Sequence, residues 1–253
     1  MKIDLTGKTA LITGATGDLG RVMARTLADS GANIVIHYHN NETKAKELQQ
    51  EIVAKGVSAM IAKADITSEH QIMGMKETVS ATLGAVDIVV ANAVIQYGWK
   101  SVLEQPASDY ESQFQSCVMH SVYLAKAFAQ DMIERKQGRF IGINTECVMQ
   151  NFAGQSAYTA GKRGMDGVYR VLAREVGEHG ITVNQIAPGW TISDRDRAAG
   201  SEANESYSSS VPLKRRGTDQ EIANAVLFLA SDLSSFITGA YIPVNGGNVM
   251  PAI

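Results

Sequence analysis

The sequence holds only two cysteines, Cys117 and Cys147, and five prolines among 253 residues. Two thiols are too few for a disulfide framework and suit a reducing compartment. With proline scarce and glycine at 23, most turns must rest on permissive glycine dihedrals or close backbone approach. Neither sign of charge dominates: 23 Lys and Arg face 26 Asp and Glu, a net charge of −3. A nucleic-acid binder would carry a strong basic excess, so no such partner is expected. Long apolar runs are missing too. The longest, Val86 to Ile95, is broken by Asp87 and Asn92 and is about half of a membrane span. The stretch Met1–Lys8 lacks the apolar core of a signal peptide. No His, Cys, Asp or Glu set has metal-ligand spacing, and Cys117 with His120 or Cys147 does not make one, so no metal is expected. What remains is 45% hydrophobic and 19% charged residues, enough for a sizeable core and too apolar for disorder. The expectation is a cytoplasmic globular protein without a membrane partner.

Short β-branched runs alternate with longer helical patterns from end to end. Residues 9–13, 33–37, 58–62 and 86–90 read as four strands, and 140–144, 181–185 and 240–244 as three more. Helix-period stretches lie between them, at 42–55, 69–83, 158–178 and 219–231. Near-continuous apolar strands separated by helices predict an α/β, doubly wound parallel sheet covered on both faces. No linker, repeat or low-complexity tract interrupts the alternation, so residues 1–253 read as a single domain.

Two stretches depart from it. Residues 108–136 form one long helical pattern with an apolar stripe of Phe114, Val118, Val122, Ala125, Ala129 and Met132. Part of a second stripe is made by Cys117, Leu124 and Phe128. One stripe covers the sheet; the second needs a deep site in its own subunit or another copy of the chain. Residues 191–210 are rich in Ser, Asp, Arg and Gly with few apolar anchors, which marks a candidate substrate lid.

Thr13-Gly14-Ala15-Thr16-Gly17-Asp18-Leu19-Gly20 follows the first strand and opens a helix through Met23 and Leu27. Residues without a Cβ let backbone N–H groups approach a pyrophosphate at a helix N-terminus, where the dipole favours anions. Gly14, Thr16, Gly17, Leu19 and Gly20 are therefore candidate dinucleotide contacts. A carboxylate at Asp18 would repel phosphate, so Asp18 is expected to cap the helix instead.

With Asp65 after strand three, Asn92-Ala93 after strand four, Tyr158-Thr159-Ala160-Gly161-Lys162 and Pro188-Gly189, the order of motifs resembles the short-chain dehydrogenase/reductase family. The tail, with Thr238-Gly239 and Asn245-Gly246-Gly247, adds to the likeness, which covers nearly the whole chain. The resemblance implies a Rossmann-type, seven-stranded parallel sheet, an NAD or NADP cofactor, and hydride transfer between an alcohol and a carbonyl. It implies that Asp65, with Ile66 beside it, meets the adenine, that Asn92 supports the ribose, and that Pro188, Gly189 and Ser193 sit by the nicotinamide. It implies a homotetramer of two-fold symmetry as well.

The choice of dinucleotide rests on the end of strand two. An NAD enzyme usually has an acid there to accept from the ribose 2′-hydroxyl. This chain reads His37-Tyr38-His39-Asn40-Asn41, with no acid until Glu42, and no Arg or Lys adjacent. His39, Asn40 and Asn41 can donate to a 2′-phosphate, so NADP(H) is expected over NAD(H).

Tyr158 and Lys162 are four apart and share a helix face. Reversible alcohol oxidation needs a group that gives and takes a proton, and an ammonium about 4 Å away favours phenolate. By the family's spacing the third member is Thr145, a hydroxyl where serine is usual; threonine keeps the donor and restricts χ1. Glu146 beside it either accepts from a hydroxyl- or amine-bearing substrate or turns into solvent. Two positions depart from the family. Cys117 stands where an asparagine usually helps to hold a relay water, and Val94 stands for a glycine after Asn92-Ala93. The leading reading is an oxidoreductase acting on a small or medium carbonyl or secondary alcohol; a dinucleotide-binding sensor or scaffold with little turnover is the alternative.

Overall fold

A computed structural model describes residues 3–251, so Met1, Lys2 and the last two residues of the readings above lie outside it. Seven parallel strands form one sheet in the order β3-β2-β1-β4-β5-β6-β7. They are β1 (Thr9–Ile12), β2 (Asn33–Tyr38), β3 (Ala59–Lys63), β4 (Ile88–Ala91), β5 (Gly138–Ile143), β6 (Ile181–Pro188) and β7 (Tyr241–Val244). The helices are α1 (Asp18–Asp29), α2 (Glu42–Val53), α3 (Glu69–Leu83), α4 (Ala107–Gln113), α5 (His120–Arg135), α6 (Cys147–Gln150), α7 (Ser156–Val176), α8 (Asp194–Ala198), α9 (Glu205–Ser210) and α10 (Asp219–Ala230).

Alternate residues of each strand feed opposite cores, because successive side chains leave a strand on opposite faces. Ala10, Ile12, Ile34, Ile36, Ile88 and Val90 pack with Met23, Leu27, Leu48, Ile52, Ile222 and Val226 of α1, α2 and α10. Leu11, Val35, Val89, Phe140 and Val183 pack with Ile72, Val79, Leu124, Phe128, Met165 and Tyr169 of α3, α5 and α7. Each such buried aliphatic side chain stabilises by about 1.5–3 kcal/mol, which fixes strand register against the helices. Strand order reverses between β1 and β4, whose neighbours β2 and β5 diverge, so a crevice opens beyond their carboxyl ends.

The long helix predicted over 108–136 runs from Ala107 to Arg135, but a π-helical turn, Phe114–Met119, joins α4 to α5 within it and rotates the faces on either side. Cys117, Leu124, Phe128 and Met132 consequently enter the core together, while Phe114 is exposed. Val122 and Ala125 instead line a shallow groove of about 420 Å³ with Val168, Val171 and Leu172 of α7. The segment 191–210 is not a plain loop. It carries α8 and α9, capped by the Ser193 and Asn204 side chains. Among the described residues no helix is long and apolar enough to cross a membrane.

Candidate active site

A cleft of about 730 Å³ lies at the crevice. Of the residues predicted to bind the dinucleotide, Gly14, Thr16, Gly17, Leu19, His39, Asn40, Asp65, Ile66, Asn92, Pro188, Gly189 and Ser193 line it, together with Thr145, Tyr158 and Lys162. Gly20 does not line it and acts from behind. A Cβ there would lie 2.3 Å from the Gly14 carbonyl oxygen, so only glycine lets α1 start this close to the turn. Gly14 has φ +62° and faces Ala93 and Asn92, a conformation that L side chains rarely adopt.

Three side chains brace this turn. Thr13, wholly buried, accepts from the N–H groups of Asn92 and Ala93 at 3.0 and 3.1 Å. Asn92 Nδ2 donates to the carbonyls of Thr13 (2.9 Å) and Gly14 (3.3 Å), so it ties β4 to the glycine turn. His37, which the sequence reading left without a role, accepts the Gly14 N–H at Nδ1 (2.9 Å) and lies 3.0 Å from the Ala64 carbonyl at Nε2. That pairing requires a neutral ring with its proton on Nε2. Burial agrees, lowering its pKa to about 4.

The expected cap at Asp18 is corrected. Gly17 is the N-cap residue, no side chain among the described residues caps α1, and Asp18 is the first helical residue, paired with Arg21. Arg21 also pairs with Asp194 at the start of α8. An N-terminus of α1 without a side-chain cap, opening onto the cleft, suits a pyrophosphate, since its first amides need an acceptor. Asp65 makes a local turn as well as lining the cleft. Burial pushes its carboxyl up, but the N–H and hydroxyl of Thr67, both 2.8 Å from Oδ1, outweigh that and hold it low. Ser193 lines the cleft with its hydroxyl engaged to Asp196 (2.8 Å) in the cap of α8. Near the end of β2, Lys44 and Arg21 line a small hollow with Thr16, Arg25, Glu47 and Glu51, so cations that are distant in sequence gather there.

At the other end of the cleft, Thr145 follows β5 and Tyr158 and Lys162 sit on the first turns of α7. The start of α7 is set by Tyr97, whose hydroxyl accepts the Tyr158 N–H at 2.7 Å, and by Tyr110, 2.7 Å from the Ser156 hydroxyl. Asn144 Nδ2 donates to the Lys162 carbonyl (3.1 Å) and to Gln185 (2.7 Å), locking β5 to α7 and β6. Tyr241 donates to the Thr145 carbonyl at 2.5 Å. Tyr97, Tyr110 and Tyr241 were not legible as site residues in the sequence.

Lys162 Nζ donates to the Ile143 carbonyl at 2.5 Å and lies over the Tyr158 ring, 5.8 Å from its centroid. Burial pushes Tyr158 up, the nearby Cys147 and Cys117 push the same way, and the Thr145 hydroxyl offsets this only in part. Burial pushes Lys162 down. The protein alone therefore holds Tyr158 as a phenol, poised to give a proton. Cys117 is buried in the π-helical turn, its thiol 4.0 Å from Gln113 Oε1, and the Ile143 carbonyl is the acceptor that Lys162 uses. Val94 lines the cleft.

Glu146 does not turn into solvent. It is buried and accepts from the Tyr207 hydroxyl (2.9 Å) and from Asn248 Nδ2 (3.1 Å to each oxygen). Among the described residues no group of three or more His, Cys, Asp or Glu could hold a metal ion.

Known proteins resemble this chain in sequence and in fold. A family profile described as "Enoyl-(Acyl carrier protein) reductase" matches residues 14–248. The chain is 33% identical over 243 residues to a 3-oxoacyl-[acyl-carrier-protein] reductase FabG of Staphylococcus epidermidis, covering 96% of this chain and 99% of that one. It is 38% identical over 245 residues to the Salmonella typhimurium protein of the same name, covering 96% and 98%. A gluconate 5-dehydrogenase from Burkholderia cenocepacia, solved in complex with NADP and tartrate, superposes with a TM-score of 0.89 at 29% identity, covering 98% of this chain and 97% of that one. A short-chain type dehydrogenase/reductase from Mycobacterium ulcerans gives 0.90 at 28% identity, covering 97% and 91%. With a profile over nearly its whole length, relatives above 30% identity and the glycine turn, Thr145, Tyr158 and Lys162 gathered in one cleft, the chain belongs to the short-chain dehydrogenase/reductase family.

Proposed function

We propose that the protein interconverts a small or medium carbonyl and its secondary alcohol, with NADP(H) preferred over NAD(H) and Tyr158 as proton donor and acceptor. Membership of the family makes the chain a dinucleotide-dependent oxidoreductase acting on such groups. The observation that carries the reading is the meeting of Thr145, Tyr158 and Lys162 at one end of a cleft whose other end is the start of α1, free of a side-chain cap. When bound, the dinucleotide supplies or takes up the hydride. Thr145 donates to the carbonyl oxygen and polarises it. Tyr158, kept protonated by burial, gives its proton to the oxygen as it becomes an alkoxide. Lys162, anchored on the Ile143 carbonyl, supplies positive charge for the phenolate left behind.

The preference for NADP(H) is supported by the absence of an acid at the end of β2, by His39 and Asn40 in the cleft, and by Lys44 and Arg21 beside Thr16. The NADP held by the Burkholderia neighbour points the same way. The chain acts as one domain in the cytoplasm, with 191–210 as the substrate lid. The open apolar groove between α5 and α7 suits a second copy, and with it the homotetramer. No observation favours a sensor or scaffold.

The test is dinucleotide absorbance against a panel of carbonyls and sugars, for the parent and for Tyr158→Phe and Thr145→Ala. Thr145→Ala should lower turnover by roughly 10- to 1,000-fold with dinucleotide binding intact, the scale of losing one polarising donor. Tyr158→Phe should do at least as much damage. A Tyr158→Phe protein that reduces the same carbonyl at the parent rate would overturn the mechanism. NADH binding tenfold tighter than NADPH, about 1.4 kcal/mol the other way, would overturn the cofactor preference.

A further inference from the structure

Trp190 follows Gly189 at the end of β6 and lines the cleft that holds Thr145 and Tyr158. The residue stays 50% exposed, yet its backbone and its ring are both engaged. Its N–H donates to the Tyr207 hydroxyl at 2.9 Å, and its carbonyl accepts from Arg216 Nε at 3.3 Å. The Tyr207 ring meets the indole edge-on at 5.6 Å and 77°, and the Arg216 guanidinium lies 4.8 Å from the indole centroid.

The groups that fix it are fixed in turn. Tyr207 donates to Glu146, which also takes both bonds from Asn248. Gly189 leaves the room, since a Cβ there would lie 2.4 Å from the Tyr207 hydroxyl. The Arg216 side chain is 1% exposed and pairs with Asp196 while bonding the carbonyls of Thr191, Ser201 and Glu202. Burying a carboxylate and a guanidinium is costly unless each is fully bonded, and here both sets of bonds converge on one half-exposed ring. A rigid aromatic surface loses little freedom when a ligand stacks on it. The same cleft is lined by Val94, Ile95 and Ile192 and by the uncharged polar residues Gln96, Thr191 and Ser193.

We propose that Trp190 is the specificity-determining residue of the cleft, taking a flat, uncharged ring joined to the reacting carbonyl, with Glu146, Tyr207 and Arg216 as positioning residues that fix its indole. The proposal rests on the hydride-transfer reading above. Two methyl ketones of equal carbon number separate ring from size: acetophenone, with a flat ring on the carbonyl, and 2-octanone, with a flexible chain. In the parent, kcat/KM for acetophenone should exceed that for 2-octanone by about tenfold or more, and Trp190→Ala should remove that advantage with less than about threefold change on 2-octanone. Trp190→Phe, which keeps a ring, should retain most of the preference. Tyr207→Phe keeps its own ring but loses the hydroxyl between Trp190 and Glu146. It should raise KM for acetophenone by about three- to tenfold with kcat little changed. Glu146→Ala should match it, Glu146→Gln should stay near the parent, and neither should add to Trp190→Ala.

Equal losses on both ketones in Trp190→Ala, or a parent that prefers 2-octanone, would overturn the assignment. A turnover-free measurement keeps it apart from the reading it rests on. Calorimetric titration of each ketone into protein saturated with oxidised dinucleotide should show acetophenone binding the parent about tenfold more tightly than Trp190→Ala, about 1.4 kcal/mol. If that difference holds while neither ketone turns over, hydride transfer on these ketones fails and Trp190 keeps its role. If the difference is absent, Trp190 loses it whatever the turnover.

Discussion

Acidifying the protein from pH 8 to pH 5 tests the brace behind the glycine turn. His37 accepts the Gly14 N–H at Nδ1, so protonating that nitrogen would set two donors against each other. Burial lowers its pKa from 6.5 to about 4. His120, buried in α5 with no hydrogen-bond partner for Nε2 among the described residues, is lowered by burial to about 3, with His37 and Lys162 adding to the effect. Both folded values lie below the unfolded one, so the unfolded chain takes up protons first. The stability these two groups contribute is complete above about pH 6.5 and is lost as pH falls, towards about 4 for His37 and about 3 for His120. At pH 5 an unfolded histidine is almost fully protonated while the folded ones are not, a loss of about 2 kcal/mol each and about 4 kcal/mol together. Asp196 and Glu221, held at about 2 chiefly by the Ser193 N–H and by Arg215, act in the same direction but mainly below this window. Urea unfolding at pH 8, 6.5 and 5 and one protein concentration reads the effect. His37→Asn, whose amide oxygen can still accept from Gly14, should lose about half of the parent's acid sensitivity. A parent whose stability changes by less than about 1 kcal/mol between pH 8 and 5, or a His37→Asn protein as acid-sensitive as the parent, would refute the argument.

Gly20→Ala places a methyl against the Gly14 carbonyl oxygen and should cost about 1–3 kcal/mol and abolish dinucleotide binding. Gly74→Ala, on α3 with open space around it, should instead stabilise by about 1 kcal/mol, and thermal melts with dinucleotide titration compare the two. Cys117→Asn should leave turnover unchanged or modestly raised, because Lys162 already bonds the Ile143 carbonyl; a loss of about tenfold or more in kcat would show that the thiol matters. Val171→Glu sets a charge in the groove between α5 and α7 and should shift sedimentation towards smaller species. A parent that sediments as a monomer at micromolar concentration would remove the groove's role in assembly.

The sequence by itself determined the sheet, its seven strands and the helices on both faces, because strand and helix periods are local and the runs at β1, β2 and β4 have no competing pattern. It also set Tyr158 and Lys162 on one helix face and put a glycine turn between β1 and α1, both consequences of spacing along the chain. Tertiary structure alone decided the rest. The π-helical turn at Phe114–Met119 interrupts the helical period, and the stripe of Phe114 and Met132 divides between surface and core. Glu146 looked as ready for solvent as for substrate until Tyr207 and Asn248, 61 and 102 residues away in sequence, came within hydrogen-bond reach. The segment 191–210 looked unanchored because its anchor, the buried Arg216, lies beyond it, and the role of His37 needed β2 folded beside the glycine turn. Periodicity records which face of an element is buried. It carries no record of which polar groups, distant in the chain, will be buried together and must then satisfy one another.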